Sequence, residues 1–222
     1  MALSACARCS DTLTWKQNVI MALEPHFYNN LIEAGCDEAG RGCLAGSVYA
    51  AAVILPADYN NPELNDSKQL TLKKRLALRE QIQRDAVAWA VGVVTPEEID
   101  KLNILRSSFL AMHRALDQLS VRPEAIIVDG NRFVPYKDIP HTTIVKGDGK
   151  YQAIAAASIL AKTYRDDYMK ELAKEYPYYD WEHNAGYPTK KHRDGIRQHG
   201  ISPYHRKSYN LLGSGELELE FK

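Results

Sequence analysis

No apolar run in the 222 residues approaches the length of about 18 that a membrane-spanning helix requires. No membrane partner is therefore expected. The first twenty residues also lack the apolar centre of a secretory signal, so the expected compartment is the cytoplasm. Surplus charge is missing too: 28 Lys and Arg offset 28 Asp and Glu, for a formal net charge of zero. That argues against a strongly basic coat holding nucleic acid non-specifically, though it permits local patches. Cysteine is scarce, and four in the whole chain do not make a disulfide framework. Cys36 and Cys43 read as reduced wall residues. Cys6 and Cys9 have the spacing of half a zinc site or a redox pair, but no second pair follows, so chance spacing is the reading. Internal repeats and low-complexity tracts are absent. What remains is a chain sized for one domain with a small appended subdomain, and its 45% hydrophobic content is enough for a real core.

The chemistry present is concentrated in Asp37-Glu38-Ala39-Gly40-Arg41-Gly42. Two adjacent carboxylates close the short apolar segment 31–36, and a turn carrying two glycines and an arginine follows. Carboxylates at a strand end can hold a divalent metal, glycines let a backbone approach a ligand closely, and the arginine can meet a phosphate. A second apolar run, Ala125-Ile126-Ile127-Val128, ends in Asp129-Gly130. Lys146-Gly147-Asp148-Gly149-Lys150 then precedes a long helical pattern. Strand or helix termini thus deliver Asp37 with Glu38, Asp129, and Asp148. Four carboxylates without a convincing histidine or cysteine set suit Mg²⁺ or Mn²⁺. Two such ions about 3.5–4 Å apart form the usual clamp for in-line phosphoryl displacement.

The ordered set of motifs resembles ribonuclease HII, the bacterial type 2 ribonuclease H. It comprises 37–46 (DEAGRGCLAG), Asp66-Ser67-Lys68, Val128-Asp129-Gly130, Lys146-Gly147-Asp148, 155–162 (AAASILAK), Arg165-Asp166 and Gly186-Tyr187-Pro188-Thr189. The resemblance runs from about Leu31 to Lys207. Two departures stand in the first turn, where the family usually has proline at the positions of Cys43 and Ser47; neither bears a catalytic group. The resemblance implies an α/β fold: a ribonuclease H-like mixed five-stranded sheet flanked by helices, with a small C-terminal helical subdomain. It implies an endonuclease that cuts RNA in RNA–DNA hybrids and 5′ of ribonucleotides in duplex DNA, using two Mg²⁺ or Mn²⁺ ions and acting as a monomer. Asp37 would bridge both ions, with Glu38, Asp129 and Asp148 completing the cage. Gly40, Arg41 and Gly42 would sense the ribonucleotide 2′-OH through backbone groups, and Tyr187 would stack near the ribose beside the scissile phosphate. Lys68, Lys162 and Arg165 would lie at the substrate, with an ion pair of Arg165 to Asp166 or Asp167 as the alternative.

Each of these residues also has an ordinary reading. Asp129-Gly130 is a common turn signal, Asp148 could cap the following helix, and Tyr187 could be rim packing. A transposase-type nuclease on the same sheet is a rival within enzymes, since fold alone never fixes function. A nucleic-acid binder with a dead site is a rival outside them. Gly40-Arg41-Gly42 with Tyr187 speaks against the first, and four intact carboxylates speak against the second.

Along the chain, residues 1–28 match nothing in the family and read as a flexible extension, with Met21 offering an alternative start. Residues 29–176 form the catalytic domain and 177–222 the C-terminal subdomain and tail. Strands are expected over 31–36, 47–55, 87–94, 125–128 and 142–145. Helices are expected over 70–84, with an apolar face at Leu72, Leu76 and Ile82, then from Thr95, over 105–119, and from about 151 to 176. Lys73-Lys74-Arg75 reads as a solvated helix face. The runs 190–193 (KKHR) and 205–207 (HRK) read as nucleic-acid contacts, because they flank an aromatic and glycine-rich loop. His183, His192 and His199 read as surface or phosphate-contact residues. The alternating tail 216–221 (ELELEF) looks a little like peptides that bind bacterial sliding clamps.

Overall fold

The structure, a computed structural model, describes residues 23–213. Its elements in chain order are β1 (Glu33–Ala39), β2 (Val48–Ile54), α1 (Leu72–Asp85), β3 (Ala88–Val94), α2 (Pro96–Leu102), α3 (Ile104–Asp117), β4 (Ala125–Asp129), β5 (His141–Ile144), α4 (Gln152–Glu175), α5 (Trp181–Asn184) and α6 (Lys190–His199). The strands form one sheet in the order β3-β2-β1-β4-β5. β1 runs antiparallel to β2, and β2 to β3, whereas β4 and β5 join parallel. β2 is an interior strand and nearly all Ala, Val and Ile, as a strand covered on both faces should be. This is the mixed five-stranded, ribonuclease H-like architecture.

Helices cover both faces. On one, Ala51, Val53 and Ile127 pack against Ile154, Ala157 and Leu160 of α4 and against Leu78 and Ile82 of α1. On the other, Ala34, Cys36, Ala50 and Ala52 pack against Met112 and Ala115 of α3. The alanines of α4 let its backbone come very close to β1. A Cβ added to Gly35 would lie 2.3 Å from the carbonyl carbon of Ala153, so only glycine fits there. α2 begins with a capping box between Thr95 and Glu98, and Asn103 at φ 68° separates it from α3.

Two expectations shift. The carboxylates 37 and 38 do not follow the first strand; they lie inside it, because β1 keeps pairing with β2 through Ala39. The buried face of α1 is Leu78 and Ile82, while Leu72 and Leu76 are exposed. The i, i+4 pair faces α4, and the two earlier leucines lie off that line.

A third apolar cluster joins Tyr179, Trp181, Ile196 and Leu211 to Leu44, Ala45, Met169 and Leu172. The segment after α4 is thereby seated on the β1–β2 turn. Residues 23–28, counted with the extension in the sequence reading, are held to the body. The N–H of Glu24 donates to the carbonyl of Lys150 at 2.7 Å, and Leu23 is buried. Residues 1–22, with Cys6 and Cys9, and the tail 214–222 lie outside the described residues. Among the described residues no helix is long and apolar enough to cross a membrane.

Candidate active site

Strand alternation places the first two carboxylates. Gly35 faces α4, so Asp37, two residues on, faces α4 as well. β4 runs parallel beside β1 with Gly35 opposite Ile127 and Cys36 opposite Val128. Ile127 packs on α4, so Asp129 emerges on the same side, one rung beyond the last pair. Two acids thus stand side by side at the carboxyl ends of neighbouring parallel strands, where open α/β sheets form their crevices. Asp148 lies in a 3-10 turn, Gly147–Gly149, just before α4 and is buried. It does not cap α4, whose N-cap position is Tyr151. The N–H of Gly147 donates to Asp129 Oδ1 at 2.7 Å, which ties the β4 end to the Asp148 turn.

Two serines support Asp37, and the sequence reading assigned neither a role. The Ser158 hydroxyl of α4 works against the effect of burial on the Asp37 carboxylate. Ser158 and Ser67 share a hydrogen bond between their hydroxyls at 2.9 Å. Asp37 Oδ1 also accepts the Glu38 N–H at 2.7 Å. Both serines sit within the motifs Asp66-Ser67-Lys68 and 155–162, which was the available signal.

The cluster is electrostatically strained. Burial, then the charges of Glu38 and Asp129, push Asp37 well above the usual carboxylate range. Burial raises Glu38 as well, although Arg41 pulls the other way. Burial and then Asp129 raise Asp148, with Lys68 opposing. Two cations offset the acids. Arg41 Nη1 lies 3.1 Å from Glu38 Oε1. Lys68 Nζ lies 3.5 Å from Asp148 Oδ2 and 3.8 Å from Asp66 Oδ1. Burial works against the Lys68 charge, but Asp148 and Asp66 hold its pKa above the ordinary value. In this arrangement no three His, Cys, Asp or Glu side chains among the described residues form a group that could hold a metal ion. Glu38 and Asp148 are engaged by Arg41 and Lys68 instead. The donor chemistry still fits a hard divalent cation, since it offers only oxygens and crowded carboxylates whose repulsion a cation relieves.

Behind the turn 40–46 stand two interior arginines. Arg165 of α4 is 1% exposed and donates to three carbonyls: Ser47 (3.0 Å), Ala185 (2.8 Å) and Ala45 (3.1 Å). The alternative ion pairs do not form, for Asp166 pairs with Lys162 and Asp167 with Arg79. Gly40, at φ 97°, has no room for a side chain: an added Cβ would lie 2.1 Å from Arg165 Nε. Arg206 is fully buried. It donates to the carbonyls of Gly40 (2.6 Å), Arg41 (2.9 Å) and Gly46 (2.9 and 3.1 Å), and to the Tyr209 hydroxyl (3.3 Å). The expectation that 190–193 and 205–207 contact nucleic acid is corrected for His192, His205 and Arg206, which are interior; Lys190, Lys191 and Lys207 are exposed. His192 is not a surface residue either, whereas His183 is exposed beside Asp180 and His199 stacks on Tyr178.

Tyr187 is 42% exposed, on a loop where Ala185 (φ 46°) and Gly186 (φ 83°) reverse the chain. A Cβ added to Gly42 would lie 3.9 Å from Tyr187 Cε1, so ring and turn face each other across a contact gap. Burial, then Cys43, raises the Tyr187 phenol above its usual pKa. The structure therefore brings together the four carboxylates, Lys68, Gly40-Arg41-Gly42 and Tyr187. Lys162 is tied to Asp166, and Arg165 is internal.

Residues 34–212 match the sequence profile of ribonuclease HII. The chain belongs to the ribonuclease HII family. It is a type 2 ribonuclease H, an endonuclease that acts on RNA–DNA hybrids. The ribonuclease HII of Bacteroides thetaiotaomicron is 71% identical over 199 residues, covering 90% of this chain and all of that protein. That of Phocaeicola vulgatus is 70% identical over 200 residues, with 90% and 100% covered. Among solved structures, ribonuclease H2 from Pyrococcus horikoshii matches with TM-score 0.70 at 27% identity, covering 81% of this chain and 94% of that one. The ribonuclease HII of Archaeoglobus fulgidus, solved in complex with PCNA, shares the fold with TM-score 0.65 at 24% identity, with 86% and 98% covered. Bst ribonuclease HIII, solved with Mn²⁺, shares it with TM-score 0.58 at 18% identity, with 81% and 67% covered. The tail that suggested a clamp-binding peptide lies outside the described residues.

Proposed function

We propose that this ribonuclease HII cuts 5′ of ribonucleotides embedded in duplex DNA as well as within RNA–DNA hybrids, leaving 3′-OH and 5′-phosphate ends. The observation that carries this reading is the pair Asp37 and Asp129 on adjacent parallel strands, tied through Gly147 to Asp148, beside a glycine-arginine turn that faces Tyr187. Asp37, Glu38, Asp129 and Asp148 would hold two divalent ions, Mg²⁺ or Mn²⁺, and the chemistry such a pair would supply there is activation of water and stabilisation of charge on the leaving 3′ oxygen.

The chain's own residues prepare that site. The Ser158 hydroxyl favours the ionised form of Asp37 against the pull of burial. Arg41 and Lys68 neutralise Glu38 and Asp148 until a stronger cation arrives, and are then free to meet backbone phosphates of the substrate. Arg41 and Gly42 are exposed on the turn, in reach of a 2′-OH, the group that tells RNA from DNA. Tyr187 supplies a ring that can stack on the sugar or base at the junction.

The test is a DNA duplex carrying one ribonucleotide, incubated with Mg²⁺ or Mn²⁺ and with EDTA. A single cut 5′ of the ribonucleotide is expected, with 3′-OH and 5′-phosphate ends and no product in EDTA. Metal-independent cutting, or 2′,3′-cyclic phosphate ends, would rule the reading out.

A further inference from the structure

Two histidines lie in the interior behind the cleft, and the chemistry of cleavage uses neither. His192 comes from α6 and is 0% exposed; His205 follows in the segment after α6 and is 1% exposed. Their Nε2 atoms are 3.1 Å apart. Their protons can be assigned from their partners. The backbone N–H of Ser202 donates to His205 Nδ1 at 2.9 Å, so that nitrogen is an acceptor and the His205 proton sits on Nε2. It is directed at His192 Nε2, which also receives the Trp181 indole N–H at 2.9 Å. His192 Nε2 is therefore an acceptor, and its proton sits on Nδ1. That nitrogen lies 2.9 Å from the carbonyl oxygen of Tyr187 and donates to it. Both rings are neutral with fixed tautomers. Burial keeps both below the ordinary histidine pKa, His205 at about 3, so neither takes a proton in the neutral range.

The neighbour of His205 is Arg206, whose guanidinium grips Gly40, Arg41 and Gly46. His205 itself bridges to Ala45, the Arg206 N–H donates to Leu44, and the Leu44 N–H donates to the carbonyl of Gly186. One dipeptide thus holds both walls of the gap between ring and turn. It holds Tyr187 through His192, and the glycine-arginine turn through Arg206. The space between Gly42 and the Tyr187 ring is about that of one methyl group, since a Cβ added to Gly42 would lie 3.9 Å from Tyr187 Cε1, so a small drift of either wall changes the gap.

We propose that His192 and His205 are positioning residues that hold the Tyr187 ring at its working distance from the Gly40-Arg41-Gly42 turn, and that this spacing selects the RNA–DNA junction. The inference rests on the junction-sensing role given to Tyr187 above. It predicts a specificity defect when the hydrogen bond to the Tyr187 carbonyl is lost, over and above any loss of stability.

Two substitutions separate those effects. In His192→Asn the amide nitrogen can stand where Nδ1 stood and keep the bond to Tyr187. In His192→Gln the amide reaches the Nε2 position and leaves the Tyr187 carbonyl without its donor. Both lose the ring, so packing losses are common to the pair. The readout is the ratio of kcat/KM on a single embedded ribonucleotide to kcat/KM on a long hybrid. For His192→Gln the ratio should fall about tenfold, the worth of one buried hydrogen bond, and for His192→Asn it should stay within about threefold of wild type. A second readout needs no activity: the ¹⁹F resonance of Tyr187 in protein labelled with 3-fluorotyrosine, assigned through Tyr187→Phe. It should shift or broaden in His192→Gln and hold in His192→Asn. If neither variant folds, Trp181→Phe, which keeps a ring beside Tyr179 and removes one donor to His192, is measured in the same way and should lower the ratio. An unchanged ratio and resonance in His192→Gln, or equal changes in both His192 variants, would overturn the proposal, as would an unchanged ratio in Trp181→Phe. If wild type cuts hybrids but not the embedded ribonucleotide, the junction reading itself falls, and the fluorine signal still decides whether the histidines position the ring.

Discussion

Replacing Arg206 with methionine tests whether the glycine-arginine turn is braced from inside. Methionine keeps much of the length and fills much of the space, but it donates nothing. The carbonyls of Gly40, Arg41 and Gly46 each lose the guanidinium. The Arg41 carbonyl keeps the Tyr209 hydroxyl as a donor at 3.1 Å, whereas Gly40 and Gly46 are buried. Two buried acceptors left unpaired cost about 1–3 kcal/mol each, roughly 2–6 kcal/mol together. Part is recovered because a guanidinium no longer has to be desolvated. The expected net loss is about 3 kcal/mol, which for a chain of this size lowers Tm by roughly 6–12 °C. Urea unfolding followed by circular dichroism measures it, with the midpoint falling at unchanged slope. Below the transition, cleavage at a single embedded ribonucleotide should slow by more than about tenfold, because the turn loses its grip. Arg206→Lys should recover little of this, since one ammonium cannot span three carbonyls. A methionine variant within about 1 kcal/mol of wild type that cuts normally would refute the brace.

Further outcomes follow from the site. Asp37→Asn and Asp129→Asn should each lower turnover by orders of magnitude while hybrid binding in Ca²⁺ survives; near-normal turnover in either would remove that residue from the ligand set. Tyr187→Ala should slow cutting at one embedded ribonucleotide by roughly ten- to hundredfold, the range of a base–aromatic stack, and less on long hybrids; equal losses would assign Tyr187 to the fold instead. In EDTA, the folded pKa values of Asp37, Glu38 and Asp148 lie above their unfolded ones. The folded state thus keeps protons the unfolded state has released, and these groups cost stability as pH rises from about 4 through the raised values. The Tm of Asp37→Asn minus that of wild type should therefore grow with pH over that window and vanish below it; a difference that is flat with pH would contradict the strained cluster.

The sequence carried the sheet and the acids well, and the interior supports poorly. Val48–Ile54 and Ala125–Asp129 were readable as strands because covered strands are continuous apolar runs. The acids stood out because each ends or interrupts such a run. Strand β1 ran three residues past its expected end, since pairing with β2 outweighs the local preference of Asp and Glu for turns. Arg165, His192, His205 and Arg206 were misplaced for a different reason. Charged residues normally face water, and nothing local reveals that backbone carbonyls some 120 to 166 positions away will pair with the two arginines inside. Ser67 and Ser158 lay in recognised motifs, but their hydroxyls gain meaning only when α4 is laid across β1.

The reach of Arg206 has a consequence for the order in which the enzyme becomes active during synthesis. Gly40 leaves the ribosome 166 residues before its partner. At roughly 5–20 residues per second that is about 8–33 s of translation. All five strands and α4 precede Pro177, so the sheet and its acids can assemble while the turn beside them still lacks its guanidinium. The brace of the glycine-arginine turn is completed last, and a chain stopped short of Arg206 would carry its carboxylates beside a turn whose buried carbonyls lack their donor.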